Sequence, residues 1–350
     1  METIIEKIKP KDINYITIDK AASILKRGGL VAFPTETVYG LGANALDRSA
    51  SKKIYMAKGR PSDNPLIVHI SNVGVLNDLT LNISETAKTL IDVFWPGPLT
   101  LIFNKNKNVP DSITGGLKTV AIRMPSHPIA KEIINRSGIP IAAPSANISG
   151  RPSPTSAKHV IEDLDGKVDM IIDGGKVNIG LESSVVDLTS EKPIILRPGY
   201  VTKEMLSKIV GDVDIDPSLI SLSRDIIPRS PGMKYKHYAP QGELYIVDGE
   251  LSKVVNKIKT LALEKESLGY KVGIIASQQT REFYKDGFVK IIGDRNNEEE
   301  IAKSLFEVLR EFDKINVDYI FSETFKSERL GEAIMNRLLK AAGNKKIIIS

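Results

Sequence analysis

Short apolar runs rich in Val, Ile and Leu, closed by Gly or Pro, recur through residues 30–210. Their length and punctuation predict strands over Leu30–Phe33, Leu66–Ile70, Leu99–Asn104, Thr119–Met124, Pro140–Ala143, Met170–Asp173, Ser184–Leu188 and Ile194–Arg197. Helical stretches fall between them, over Lys20–Arg27, Arg48–Lys58, Ser84–Phe94, Pro128–Ser137, Ser156–Leu164 and Lys203–Val210. This alternation predicts an α/β domain over residues 1–210, with a twisted mixed sheet carrying flanking helices. Strand order is not legible from the pattern.

Periodicity then fails over residues 211–240, where prolines recur at 217, 228, 231 and 240, which marks a linker. Beyond it, strands are expected at Leu244–Val247, Val272–Ala276, Val289–Ile292, Tyr319–Phe321 and Lys346–Ile349. Helices are expected around Leu251–Leu268, Glu298–Phe312 and Arg329–Ala342. Near-continuous apolar strands alternating with helices predict a smaller, doubly wound, Rossmann-like parallel α/β domain over 241–350. It has neither a G-x-G-x-x-G fingerprint nor a P-loop, so it offers no nucleotide signature of its own.

Three polar loops stand out against this scaffold. Lys58-Gly59-Arg60-Pro61-Ser62-Asp63-Asn64-Pro65-Leu66 sets two permanent cations one residue apart between prolines. If the segment is extended, Lys58 and Arg60 face the same side and can meet one polyanion together. Pro144-Ser145-Ala146-Asn147-Ile148-Ser149-Gly150 offers hydroxyl, amide and backbone N–H groups directly after an apolar strand. Phe33-Pro34-Thr35-Glu36-Thr37-Val38-Tyr39-Gly40-Leu41-Gly42 runs from a strand into a hydroxyl-rich, glycine-terminated turn. Singly, each is also what a solvated turn looks like. Together, at strand ends of one α/β region, they form the pattern of a nucleotide polyphosphate crevice.

These stretches, with Phe94-Trp95-Pro96-Gly97-Pro98-Leu99-Thr100 and Val120-Ala121-Ile122-Arg123-Met124-Pro125, closely resemble the YrdC-type threonylcarbamoyl-AMP synthases in order and spacing. The resemblance is dense over residues 14–201 and returns at Ser230-Pro231-Gly232-Met233-Lys234-Tyr235-Lys236-His237-Tyr238-Ala239-Pro240, as in the longer two-domain members. It implies a nucleotidyltransferase that joins L-threonine, bicarbonate (or CO2) and ATP into threonylcarbamoyl-AMP and pyrophosphate. A downstream transferase complex would pass the product to tRNA beside the anticodon. The carbamate nucleophile is already anionic, so alignment, charge neutralisation and exclusion of water matter more than a strong base.

The resemblance also implies residue roles. Lys58 and Arg60 would clamp the triphosphate and serve catalysis, with Ser62, Thr119, Ser145, Asn147, Ser153 and Arg197 completing the ATP site. Thr35, His69, Arg123, Ala143 and Ser183 would receive threonine, Arg123 as a fork for its carboxylate. From the residues alone, Arg123 reads equally as a half-exposed edge residue and His69 as an ordinary strand histidine. Lys234 to Tyr238 interleaves cations with aromatics, so the linker is expected to fold back as a lid with Tyr235 at the nucleotide. Of the acids near these loops, Glu36 and Asp63 are nearest, but neither has a metal-ligand pattern, and Mg2+ is expected to ride on ATP phosphates and water.

Composition narrows the alternatives. The 350 residues contain no cysteine, which excludes disulfides and thiolate chemistry, and four scattered histidines, which argue against a zinc site. The hydrophobic fraction of 41% and charged fraction of 26% are those of a globular protein. No apolar run reaches membrane-span length and no signal peptide opens the chain, so a cytoplasmic protein without membrane contact is expected. The net charge of +5 allows anionic ligands and contact with tRNA without requiring it. Two rivals remain at this level: an RNA-binding module, and an ATP-dependent enzyme adenylating another carbamoyl compound.

Overall fold

The computed structural model describes residues 2–219, 237–325 and 329–349. Contacts divide these residues into two compact units, 2–149 with 153–219, and 150–152 with those from 237 onward. Tyr235 and the Ser230–Lys236 part of the expected lid lie outside the described residues.

The first unit contains β1 (Ile4–Lys7), β2 (Val31–Pro34), β3 (Tyr39–Asn44), β4 (Ile67–His69), β5 (Leu99–Asn104) and β6 (Thr119–Arg123). It continues with β7 (Ile141–Ala142), β8 (Met170–Asp173), β9 (Ser184–Asp187), β10 (Ile194–Arg197) and β11 (Asp214–Ile215). Among the described residues these make one mixed sheet, in the order β1-β8-β2-β3-β7-β4-β6-β5-β9-β10-β11.

One sheet face is apolar along its length: Leu41, Val68, Leu101, Ile122 and Val186 pack with Ile54, Leu90, Val160 and Leu206 of the helices Arg48–Lys58, Glu85–Phe94, Ala157–Leu164 and Lys203–Val210. The other face is divided. Over β2, β7 and β8 it is covered by the helices Tyr15–Lys26 and Pro128–Ser137, through Ile18, Leu25, Ile129 and Ile133. Over β4, β6, β5 and β9 only a small apolar cluster remains, comprising Ile67, Ala121, Ile102, Val185 and Leu196. Loops roof this half.

Three local readings of the sequence need correction. Lys58 is the last residue of a helix, and Gly59 behind it takes the left-handed conformation at φ 60°. The extended alternation that would aim Lys58 and Arg60 together therefore does not exist; a helix end and its glycine cap set their directions. Likewise, Tyr39–Asn44 is a full strand paired antiparallel with β2, in register Pro34↔Tyr39 to Val31↔Gly42. Its glycines are packing requirements rather than turn formers: a Cβ on Gly42 would lie 2.6 Å from Phe33. The first helix also begins earlier than expected, at Tyr15, because Asn14 caps it by accepting from the backbone N–H of Ile16 and Thr17.

The second unit carries β12 (Glu243–Asp248), β13 (Val272–Ser277), β14 (Phe288–Gly293), β15 (Tyr319–Ser322) and β16 (Lys346–Ile348). All pairings are parallel, in the order β14-β13-β15-β12-β16. With the helices Leu251–Ser267, Glu298–Ile315 and Gly331–Ala341, this is the doubly wound arrangement expected from the pattern. The tripeptide Gly150–Pro152 belongs to this unit: buried Arg310 donates twice to the Pro152 carbonyl, and the Ala239 N–H donates to Gly150 O.

Candidate active site

The serine- and asparagine-rich loop continues the sheet. Leu41 N donates to Pro144 O at 2.8 Å, Ala146 N donates to Tyr39 O at 2.8 Å, and Gly40 and Ser145 form an isolated antiparallel bridge. β3 itself is anchored by the Tyr39 hydroxyl, which donates to Gly175 O at 2.7 Å and accepts from Gly174 N at 3.1 Å. The loop is thus held on rigid backbone, as a binding surface for an anion requires.

Lys58 joins the two motifs that the sequence placed far apart. Its Nζ donates to Ser145 O and to Asn147 O, each at 2.5 Å, and approaches Asn147 Oδ1 at 3.3 Å. Ser149 N returns a bond to Lys58 O at 2.8 Å. Ser145 Oγ donates to Asn147 Oδ1 at 2.6 Å, which fixes the amide so that its Nδ2 donates to Ile148 O. Lys58 is 2% exposed, so its charge sits in a low-dielectric setting where an arriving phosphate interacts strongly.

Arg60 turns back on its own loop. Its Nη2 donates to Pro65 O at 2.9 Å and its Nε to Asn64 O at 3.3 Å, which shapes the turn that carries exposed Ser62. Half-buried Thr119 opens β6 opposite Asn104. Ser153 is 1% exposed and donates to Glu182 Oε1 at 2.5 Å. Arg197 ends β10, and its Nε and Nη2 donate to Ser183 O at 3.0 Å and Ser183 Oγ at 3.1 Å.

A second group assembles on the roofed half of the sheet. Cross-strand register sets His69 beside Arg123, and Arg123 beside Thr100, giving a polar row over the apolar row Ile67, Ala121, Ile102. Ser183 closes that row through a 2.7 Å contact between its Oγ and Thr100 Oγ1. Ala143 is buried, its N–H donating to Ile67 O. Arg123 is 4% exposed, not the half-exposed edge residue that the strand pattern alone allowed. Its Nε donates to Gly97 O, its Nη1 to Thr37 Oγ1 at 2.8 Å, and its Nη2 lies 2.7 Å from Glu36 Oε1.

Glu36 and Thr37 sit in the four-residue loop of the β2–β3 hairpin. Thr35 organises that loop, donating to Val38 O at 2.7 Å and accepting from Thr37 N and Val38 N. Burial would raise the Glu36 carboxyl pKa, but the Arg123 charge beside it wins, and it is held below the usual range. His69 is pushed the other way, to about 3, by burial and then by the Arg123 charge. It is therefore a neutral ring, anchored by a 3.2 Å contact between Nδ1 and Ile67 O.

Glu36, Thr37, Thr100 and Glu182 are the site residues that sequence reasoning did not assign. The signal for the first two was their place between Thr35 and Val38; for Thr100 it was the end of the Phe94–Thr100 motif. Among the described residues no group of three His, Asp or Glu side chains is placed to hold a metal ion. Glu36 is already engaged with Arg123. None of the described helices is long and apolar enough to cross a membrane.

Comparison with known proteins decides the family. Residues 23–199 match the Sua5, YciO and YrdC family model, described as telomere recombination, and residues 201–343 match the model for the C-terminal domain of threonylcarbamoyl-AMP synthase. The chain belongs to the Sua5/YciO/YrdC family. It is 50% identical to the threonylcarbamoyl-AMP synthase of Pyrococcus abyssi, over 97% of this chain and 98% of that one. It is 49% identical to the threonylcarbamoyl-AMP synthase of Bacillus subtilis, over 94% of each. The crystal structure of P. abyssi Sua5 complexed with L-threonine superimposes with a TM-score of 0.94 at 48% identity, covering 99% of this chain and all of that one. The two-domain architecture is thus that of the Sua5 branch.

Proposed function

We infer that this Sua5-type chain is an L-threonylcarbamoyladenylate synthase, forming threonylcarbamoyl-AMP and pyrophosphate from L-threonine, bicarbonate or CO2, and ATP. The observation that carries the reading is Lys58, a buried cation that bridges two carbonyls of the Ser145–Asn147 loop. ATP phosphates arriving at that loop would exchange neutral carbonyl acceptors for anionic oxygens, which bind an ammonium more strongly.

Arg60, Ser62, Thr119, Ser145, Asn147, Ser153 and Arg197 would complete the nucleotide side. Thr35, His69, Arg123, Ala143 and Ser183 would hold threonine. In the reaction the carbamate oxygen attacks the α-phosphorus, and the bond from that phosphorus to the β-bridging oxygen breaks. Lys58 and Arg60 would neutralise the charge gathering on the departing pyrophosphate. Mg2+ would enter with ATP, because the described residues offer it no cluster of carboxylates, and phosphate oxygens and water satisfy its octahedral preference. The product would serve N6-threonylcarbamoyladenosine formation in tRNA through a separate transferase.

The test is pyrophosphate release by pure protein given ATP, Mg2+, bicarbonate and threonine. Release should require all four. Release that persists without threonine would contradict the reading.

A further inference from the structure

Four buried polar atoms around Arg123 make no aligned hydrogen bond. Neither carboxylate oxygen of Glu36 accepts an aligned hydrogen bond, Arg123 Nη2 donates none despite its 2.7 Å approach to Glu36, and His127 Nδ1 has no partner. Glu36 is 6% exposed, Arg123 4% and His127 8%. Unsatisfied buried polar atoms are rare and costly, and several in one place mark where a ligand completes the pairing. The surroundings are otherwise closed: Arg123 comes from β6, His69 from β4, and His127 precedes the helix Pro128–Ser137, near enough for the Glu36 charge to act on its ring. Among the described residues, Arg123, His69 and His127 are the charged or titratable groups that interact with Glu36.

This set is one anion, one cation and two neutral rings. An α-amino acid zwitterion is its complement, with a carboxylate to share the Arg123 guanidinium and an ammonium for the Glu36 oxygen outside the ion pair, Oε2. We propose that Glu36 is the group that receives the α-ammonium of the amino-acid substrate and takes its proton before the amine is carboxylated. This rests on the function inferred above.

The step balances simply. The N–H bond of the ammonium breaks, its proton passes to a Glu36 carboxylate oxygen, and the freed nitrogen lone pair attacks the carbon of CO2 or bicarbonate. With bicarbonate, water leaves; with CO2, a second N–H proton is released as the carbamate forms. Unliganded Glu36 is a weak base because Arg123 faces it. Once the substrate carboxylate shares that guanidinium, the field holding the proton off Glu36 falls, so the substrate itself prepares the base. Protonated Glu36 can then donate to the new carbamate instead of repelling it.

The test compares wild type with Glu36→Gln, which keeps shape and one acceptor. Threonine and ATP affinities are measured by calorimetry, and kcat/KM for threonine is followed over about pH 6.5–9.5 by pyrophosphate release. The proposal expects ATP affinity within about twofold of wild type and threonine affinity down at least about tenfold. It expects kcat/KM down on the order of 100-fold near neutrality, with the deficit shrinking at alkaline pH as threonine sheds its own proton. Unchanged threonine affinity, or a deficit equal at every pH, would overturn it. Wild type that binds threonine but releases no pyrophosphate would contradict the inferred function, while the calorimetric arm still decides the role of Glu36.

Discussion

Lys58 Nζ and the carbonyl oxygen of Ser145 are 2.5 Å apart, although 87 residues separate them in the chain. A second bond to Asn147 O makes Lys58 a strap across the loop that would face phosphate. Replacing it with Met keeps the length, removes the charge and leaves two carbonyls without their donor. Each charge-assisted bond contributes about 1.5–3 kcal/mol, so kcat/KM for ATP should fall on the order of 100-fold or more. Steady-state pyrophosphate release at varied ATP measures it, and a change under threefold would remove Lys58 from the clamp.

Arg123 makes a different prediction because its neighbour is a buried acid. Arg123→Lys keeps the charge but loses the planar fork, so the threonine KM should rise on the order of tenfold with the ATP KM little changed. Arg123→Ala strands Glu36 as an uncompensated buried carboxylate and should lower stability by about 3–5 kcal/mol. Chemical denaturation with both variants separates the two effects.

His69 supplies a pH dependence whose sign is fixed. Its folded pKa of about 3 lies below the ordinary 6.5, so between those values the unfolded chain binds a proton that the native ring excludes. The stability is complete above about pH 6.5 and is lost as pH falls toward 3. His69→Asn should flatten the fall of stability across that window, read from denaturant midpoints at several pH values. Above neutrality the two proteins should run parallel.

Gly199 guards the strand end that presents Arg197. A Cβ there would lie 2.5 Å from Ser184 N and 2.8 Å from Ser184 Oγ, both with little room to yield. Gly199→Ala should cost about 1–3 kcal/mol through overpacking, and it should raise the ATP KM by displacing the arginine. Thermal melting and nucleotide titration on the same sample check both.

Much of this site could be read in the sequence because its residues occur in compact, unusual loops at strand ends. Ser145 and Asn147 stood out as candidates that way, and the alternation that builds the parallel domain was legible; Arg123 and Arg197, inside strands, were named only through the resemblance to YrdC-type synthases. What escaped reading is non-local. The aim of Lys58 depends on the left-handed Gly59 behind it, and its partners lie 87 and 89 residues further along the chain. The strand β3 was hidden because Gly40 and Gly42 are there to admit Ala143 and Phe33, a requirement of neighbours rather than of local pattern. Glu36 looked like a stray acid until strand order brought Arg123 beside it.

The most direct test of the central claim is to identify the product itself. Pure protein is incubated with ATP, Mg2+, L-threonine and 13C-bicarbonate, and the adenylates are resolved by mass spectrometry. The account predicts threonylcarbamoyl-AMP carrying the labelled carbon, formed in step with pyrophosphate. ADP and phosphate as the only nucleotide products, or an adenylate without the label, would contradict it.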